Sequence, residues 1–479
     1  MRLGKTAALH FGSRVVITLS GFAATFLIAL FLGPSGLGQY SVALSLGFFW
    51  LVIPANGVAK SMKKRMSEGE DPAGFLGGGL ALNAVVAAVG GVAILTAGDV
   101  LGGIVSRNRE IMRVLITYDT EIAALFVGAV VYRSTIASLE GQKRVAFGGG
   151  LEASERVIRT AFQVVVLYLG LRVAGITLGH AGSLVVVAVA ALAISDVRPR
   201  VPSVEQLRSL LEYAKFAWMG ALRGRVFGWL DTLVLSFFVG ASLIGIYEAA
   251  WGIASMLAMA SASISRTLFP EVSDISGSEQ FDQIRHYLDE ALAFSGVFVI
   301  PGLFGALVLG ERILRFYRPE FAQGTGILLI LITAYLADVY ASQLMNVVNA
   351  IDRPDVAFRV NVVFVAVNAV LNVVLVWRYG WYGAAVATAV STGLRTVGGY
   401  VVLRTLIGSI SVPTGEMAKQ LAASVVMAVG VWPLTGRVPA GRPGTLVLVG
   451  FGAAIYGTVW LALSTRARTK VTGLLPVSI

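Results

Sequence analysis

Eight arginines stand inside long apolar segments of this 479-residue chain, and no lysine accompanies them there. A guanidinium group presents a planar fork of donors that matches phosphate oxygens, and it keeps its charge at physiological pH. Ionisable groups in apolar surroundings are costly unless they face a cavity, a ligand or an opposite charge. The residue types therefore predict either an anion-binding cavity or buried ion pairs. The eight are Arg14, Arg133, Arg156, Arg159, Arg223, Arg225, Arg266 and Arg395.

Acidic neighbours assign some of these arginines to ion pairs. Glu152 with Arg156, and Glu155 with Arg159, stand four residues apart and can pair along one helix. Arg266 is close enough to the inner end of its segment to extend its head group to the surface.

The other arginines are the candidate substrate ligands. Arg14 has no acidic neighbour on its own helix, and Arg223 and Arg225 begin a later one. We expect these three to line a cavity. Arg133 and Arg395 fit a substrate contact and a helix-bracing role equally well.

Three carboxylates and one amide complete the set of candidate site residues. Asp231, Glu248 and Asp338 lie within or near apolar segments, where a carboxylate can carry a coupling proton or sodium ion or can neutralise an arginine. Both roles stay open. Asn56 follows Pro54, where the helix should bend, and its amide suits either a sugar or helix packing.

The elements that position these residues must be transmembrane helices. The chain is 56% hydrophobic and only 14% charged, whereas an ordinary globular domain is about 25% charged. A spanning helix needs about 20 predominantly apolar residues, and fourteen segments qualify. They lie near residues 8–33, 37–60, 73–98, 111–139, 146–171, 174–195, 216–240, 244–269, 287–310, 322–350, 356–377, 383–407, 418–435 and 445–465.

Basic residues predict the orientation of these segments. With a cytoplasmic N-terminus, the inner ends and loops carry twice as many Lys and Arg as the outer ones. We therefore expect both termini in the cytoplasm. The net charge of +11 is spread over many short loops, so it does not indicate a nucleic-acid partner.

A short motif occurs twice and divides the chain into halves. "FLGPSGLGQY" at 31–40 returns as "FVGASLIGIY" at 238–247, each between two apolar segments. The sequence predicts two parallel six-helix bundles, 1–195 and 216–407, with a cytoplasmic linker helix at 196–215 and an extra helix pair with a tail at 408–479. Such repeats are typical of alternating-access transporters that bind substrate at the repeat interface.

Enzymatic chemistry has little support in the sequence. The chain has no cysteine, and its three histidines, His10, His180 and His286, are too scattered for a metal site. No loop is long enough for a catalytic domain. We therefore expect a transporter with no cofactor, with coupling to H⁺ or Na⁺ left open.

Two stretches resemble polysaccharide, or oligosaccharide-lipid, flippases of the multidrug/oligosaccharidyl-lipid/polysaccharide exporter superfamily. They are "RVFGWLDTLVLSFFVGASLIGIYEAAWGIASML" at 225–257 and "NAIDRPDVAFRVNVVFVAVNAVLNVVLVWRYGWYGAAVATAVST" at 349–392. The resemblance implies translocation of a polyprenyl-phosphate- or pyrophosphate-linked glycan across the cytoplasmic membrane. It also implies a monomer that works near glycan polymerases or transferases. A peptidoglycan-precursor flippase and a cation-coupled multidrug exporter of the same superfamily are the alternatives.

Overall fold

The structure, a computed structural model, describes most of the chain. The described residues are 2–50, 52–69, 71–106, 109–217, 219–276 and 281–474. Side chains are outside this description at 2–19, 49–50, 52–53, 216, 219–227, 260–276 and 471–474. The chain folds into two compact units, Met1–Glu248 and Ala249–Ile479. The predicted boundaries at 195, 215 and 407 stay a prediction.

All regular secondary structure in the described ranges is helical. Eleven helical segments there are long and apolar enough to cross a membrane, and Gly228–Phe238 is a shorter apolar helix. The predicted segment at 146–171 is also a long helix, but it carries Glu152, Glu155, Arg156 and Arg159. The protein is therefore an all-helical polytopic membrane protein.

The N-terminal unit is built around one buried helix. Its helices are α1 (Arg2–Ser45), α2 (Val52–Glu68), α3 (Pro72–Leu101), α4 (Glu110–Thr117), α5 (Asp119–Gly141), α6 (Val145–Tyr168), α7 (Arg172–Ile194), α8 (Val204–Ala217), α9 (Met219–Phe238) and the start of α10 (Ala241–Ser276). A π-helical turn, Leu46–Trp50, follows α1. Helix α5 packs against α2, α3 and α7, with Ile122, Leu125 and Phe126 fully buried. It forms the core of the unit.

The repeated motif breaks the helix at equivalent points. Gly33 interrupts α1 with φ 69° and ψ −171°, a conformation that glycine adopts at little cost. The corresponding Gly240 lies in the short gap between α9 and α10. Each copy of the motif therefore coincides with a break between helical segments.

The two motifs also contact each other. A Cβ at Gly38 would lie 1.8 Å from the carbonyl oxygen of Ala241, and one at Gly245 would lie 1.9 Å from that of Pro34. Shifting one contact by 207 residues gives the other, so the contact is reciprocal. Backbones this close leave no room for any side chain at Gly38 or Gly245.

The linker binds the protein through its apolar face. Leu210 and Ala214 of α8 are buried, and Leu210 packs with Met62, Met66 and Leu76 of α2 and α3. This part of the linker helix therefore packs on the protein, whereas Leu211 is exposed.

In the described residues, the C-terminal unit contains the rest of α10 and eight further α-helices. They are α11 (Phe281–Ser295), α12 (Val299–Arg315), α13 (Thr325–Ala350), α14 (Pro354–Tyr379), α15 (Trp381–Ile407), α16 (Thr414–Val431), α17 (Arg442–Leu463) and α18 (Thr465–Leu474). Helix α15 packs extensively on α13 and α14. The C-terminal pair, α16 and α17, packs on α12 through Leu309, Met427 and Leu448.

Two arginines fasten the C-terminal pair to α12. The Arg312 guanidinium donates from Nη2 to the carbonyl oxygen of Val438 at 3.0 Å and also to that of Thr435. In return, Arg442 Nε donates to the carbonyl oxygen of Phe316 at 3.0 Å. These bonds satisfy carbonyl groups at helix ends and loops that have no partner within a helix.

Candidate functional site: a cationic cavity in the N-terminal unit

A cavity of about 670 Å³ opens within the N-terminal unit. Gly21 and Ala24 of α1 border it, and a Cβ at Gly21 would meet nothing within 4 Å. Small residues on this face of α1 therefore leave space for a ligand. The charged lining residues are Arg133, Glu152, Glu155, Arg156 and Arg159.

Arg133 is the cavity cation most open to a ligand. It lies on α5, its side chain is exposed, and it borders the cavity. Within the described residues it forms no ion pair or hydrogen bond. This geometry fits the substrate-contact interpretation of Arg133 better than the bracing one.

Glu155 organises the other two arginines. Its carboxylate lies 3.8 Å from Arg159 Nε and 3.6 Å from Arg156 Nε, and it accepts a hydrogen bond of 3.1 Å from Ser183. The predicted Glu155–Arg159 pair is confirmed. The predicted pair of Arg156 with Glu152 is wrong, because Arg156 turns toward the adjacent Glu155.

A buried histidine connects this cluster to α1. His180 Nε2 lies 3.3 Å from Arg159 Nη1, and its Nδ1 lies 2.9 Å from the Tyr40 hydroxyl. Gln163 donates to the same hydroxyl at 2.8 Å. All four residues border the cavity, so one polar network reaches from α6 and α7 to the repeated motif.

Sequence reasoning missed Tyr40, Gln163 and His180 as site residues. His180 looked isolated because its partners are 140 and 21 residues away along the chain. Tyr40 was visible only as the last residue of a repeated motif. A signal was present in Gln163, which follows Arg159 by four residues and therefore shares its helix face.

Two of the predicted carboxylates lie at the end of the N-terminal unit. Tyr247 donates a hydrogen bond to Asp231, and Thr232 donates one to Glu248. Asp231 is buried. Neither carboxylate borders the cavity, so their predicted ion-coupling role stays a prediction.

Arg395 and Asp338 form an ion pair in the C-terminal unit. Arg395 Nη1 lies 2.8 Å from Asp338 Oδ1, and Arg395 Nε donates to Asn361 at 3.2 Å. The Arg395 side chain is 1% exposed, and its guanidinium lies 5.9 Å from the centre of the Phe364 ring. These contacts brace α13, α14 and α15, which favours the structural interpretation of Arg395.

The remaining predicted ligands are not brought to this cavity by any described contact. The side chains of Arg14, Arg223 and Arg225 lie outside the described residues. Asn56 is half-buried on α2 and does not border the cavity.

The C-terminal unit contains an apolar groove of about 490 Å³. Phe298 and Pro301 contribute to it from α12 and the turn before it, and Met427, Tyr456 and Trp460 from the C-terminal pair. A groove of this lining suits a hydrocarbon chain and offers little to a charged group.

Two family models match this chain. One, described as "Lipid II flippase MurJ", matches residues 153–452, and the other, described as "Polysaccharide biosynthesis protein", matches residues 3–276. Each covers more than half of the sequence.

Full-length relatives agree with the family models. The probable flippase AglR of Haloferax volcanii is 29% identical over 487 residues, which cover 100% of this chain and 99% of that protein. A probable low-salt glycan biosynthesis flippase of the same organism is 25% identical over 456 residues, covering 93% of this chain and 94% of that protein.

Solved structures show the same fold. The lipid II flippase MurJ in an inward closed conformation has a TM-score of 0.80 at 15% identity, covering 97% of this chain and 100% of that one. An inward-facing multidrug resistance MATE family transporter of the MOP superfamily has a TM-score of 0.67 at 14% identity, with coverages of 85% and 100%. Together with the family models and the full-length relatives, this places the chain in the lipid-linked glycan flippase family of the MOP superfamily.

Proposed function

We propose that the protein translocates a polyprenyl-phosphate- or pyrophosphate-linked glycan across the cytoplasmic membrane by alternating access. The observation that carries this proposal is the cavity of the N-terminal unit, where three arginines outnumber two glutamates in a membrane-embedded setting. An excess of guanidinium groups there is costly unless an anion compensates it, and a (pyro)phosphate is such an anion.

The apolar groove along α16 and α17 supports the lipid half of the substrate. A polyprenyl chain needs a continuous hydrocarbon surface, which Phe298, Met427 and Trp460 supply. The tail would follow this groove while the glycan and phosphate move through polar surroundings.

The two alternatives fit the cavity less well. A cation-coupled multidrug exporter needs acidic cavity walls for cationic drugs, whereas arginines outnumber glutamates in this cavity. A peptidoglycan-precursor flippase shares the phosphate chemistry, and the MurJ family match keeps it second. The full-length relatives are named for glycan biosynthesis or simply as flippases, which favours a glycan substrate.

Fourteen helices in two parallel repeats, with both termini cytoplasmic, complete the proposal. The reciprocal contact of Gly38 and Gly245 supports the repeat, because it relates equivalent positions of the two motifs. We further propose a monomeric, non-enzymatic transporter that works near glycan polymerases or transferases. In it Arg14, Arg223 and Arg225 bind substrate, and Asp231 or Glu248 carries a coupling H⁺ or Na⁺.

A flipping assay with purified protein tests the function. Proteoliposomes would contain a polyprenyl pyrophosphate disaccharide with a fluorescent label on the sugar, and dithionite would report how fast the label becomes accessible. We expect faster exchange than in protein-free liposomes, and no inhibition by a cationic dye. Flipping at the protein-free rate, together with uptake of the dye, would contradict the proposal and support the exporter alternative.

A further inference from the structure

We propose that Tyr40 and Gln163 bind a hydroxyl group of the sugar nearest the phosphate. This assignment rests on the proposed function and deepens it, because it divides the cavity into a phosphate part and a sugar part. The evidence lies in the pattern of donors and acceptors around His180.

The arginine fixes the tautomer of His180. A guanidinium can only donate hydrogen bonds, and the Glu155 carboxylate, 3.8 Å from His180 Nε2, is too far to accept one, so the 3.3 Å contact with Arg159 Nη1 assigns Nε2 as the acceptor. The ring is then neutral and carries its hydrogen on Nδ1. In this tautomer Nδ1 donates to the Tyr40 oxygen, 2.9 Å from it.

This tautomer fills the acceptor positions of the Tyr40 oxygen. One position takes the hydrogen from His180 Nδ1, and the other takes a hydrogen from Gln163 Nε2 at 2.8 Å. A hydroxyl has two acceptor positions and one donor hydrogen. The hydroxyl group of Tyr40 can therefore still donate its own hydrogen, and none of the described side chains accepts it.

Gln163 provides a hydrogen-bond acceptor beside the Tyr40 donor. Its side chain is 2% exposed and borders the cavity, yet its Oε1 has no hydrogen-bond partner in the described protein. A buried acceptor without a partner is unfavourable, because it has lost its hydrogen bond to water and gained none in return. A ligand that supplies a donor at this place would recover that loss.

One donor next to one acceptor matches the hydrogen-bonding pattern of a hydroxyl group. An ionised phosphate accepts hydrogen bonds and cannot donate to Gln163, whereas a sugar hydroxyl does both. Arg133 and Arg156 offer only donors and suit the phosphate. The geometry thus separates the two parts of the head group.

Binding of two matched lipids to the purified full-length protein tests this assignment. The probes are a synthetic C20 polyprenyl phosphate and the same lipid with one hexose, titrated by calorimetry in detergent. We expect the hexose to raise the affinity of the unchanged protein. Because a net hydrogen bond contributes about 1 kcal/mol, Tyr40→Phe and Gln163→Leu should each weaken hexose-lipid binding by about 5-fold. Neither should change binding of the bare phosphate lipid.

Tyr340→Phe is the matched control, since its buried hydroxyl has no hydrogen-bond partner among the described residues and it lies outside the cavity. It should change neither affinity. Equal weakening of both lipids by Tyr40→Phe, or no weakening, would overturn the sugar assignment while leaving the flippase proposal intact. A protein that binds neither lipid would overturn the proposed function, and the sugar assignment with it.

Discussion

At the scale of single residues, we expect substitution of Arg133 to weaken substrate binding without lowering the stability of the protein. The Arg133 side chain is exposed toward the cavity and has no described partner, so its removal exposes no buried charge. Hydrogen bonds to charged groups contribute about 1.5–3 kcal/mol, so Arg133→Ala should weaken binding of a C20 polyprenyl phosphate roughly 10- to 100-fold. The melting temperature should not change.

Two further variants sharpen the Arg133 prediction. Arg133→Lys should restore part of the affinity, because a point charge replaces a planar fork. Arg208→Ala, on the exposed face of α8, should have no effect on binding. If Arg133→Ala lowered the melting temperature but not the affinity, Arg133 would be a bracing residue.

The Arg395–Asp338 pair should behave in the opposite way. Asp338→Ala leaves the Arg395 guanidinium buried without its carboxylate, and breaking such a pair costs about 3–5 kcal/mol. Thermal unfolding in detergent should show this loss, and Asp338→Ala with Arg395→Met should be less destabilised than Asp338→Ala alone. A stable Asp338→Ala protein that has lost flipping would instead indicate an ion-coupling role for Asp338.

The sequence was informative about residue types and much less so about partners. The excess of arginines predicted a cationic cavity, because a charged group in an apolar segment is costly unless a ligand, a cavity or an opposite charge compensates it. Spacing of four residues predicted the Glu155–Arg159 pair and wrongly paired Arg156 with Glu152. The side-chain rotamer of Arg156 decides between Glu152 and Glu155, and residue spacing does not determine that rotamer. The role of His180 depends on helices that meet only after folding.

At the scale of helices, the repeated motif forms a crossing between α1 and α10. The chain has no cysteine, so Ser35→Cys with Ser242→Cys, next to the crossing, gives a clean probe. A disulfide requires Cα atoms within about 7 Å, so neighbouring positions should be scanned as well. Oxidation should stop flipping and reduction should restore it. Efficient crosslinking with unchanged flipping would show that the two segments do not separate during transport.

A second prediction at this scale concerns the linker before α8. Asp71 accepts hydrogen bonds from Gln206 at 2.9 Å and from the Gly74 amide at 3.2 Å, and it pairs with Arg200. The bond from Gln206 and then that from Gly74 lower the pKa of Asp71. This stabilisation is present above the unfolded-state pKa of Asp71 and is lost as the pH falls through the lowered pKa.

Asp71→Asn should therefore loosen the linker at neutral pH. Asparagine tolerates the left-handed backbone of this position, φ 57°, but it lacks the charge that holds Arg200. We expect faster trypsin cleavage after Arg200 than in the unchanged protein. Glu212→Ala, on the exposed part of α8, is the control and should cleave at the original rate. Unchanged cleavage of Asp71→Asn would show that the apolar packing of Leu210 alone fixes the linker.

At the scale of the whole molecule, the proposed arrangement of fourteen crossings with cytoplasmic termini makes a topology prediction. Reporters fused after Arg144, Arg208 and Lys470 should be cytoplasmic, and one after Arg318 should be external. The polytopic helical class followed from composition alone. The number of membrane-spanning helices does not, because composition does not decide whether a charged helix such as α6 crosses the membrane. An external reporter at Lys470 would remove the even number of crossings and the two-repeat proposal.

The Gly38–Gly245 contact also has a thermodynamic consequence for the transport cycle. A methyl group at either position collides with backbone only while α1 and α10 remain crossed. The clash therefore raises the free energy of the crossed conformation and does not affect a conformation in which the two helices are apart. Gly38→Ala would then act as a bias on an equilibrium, by a factor of about ten for each 1.4 kcal/mol of clash. The glycines at 38 and 245 thus permit the crossed arrangement that the structure shows.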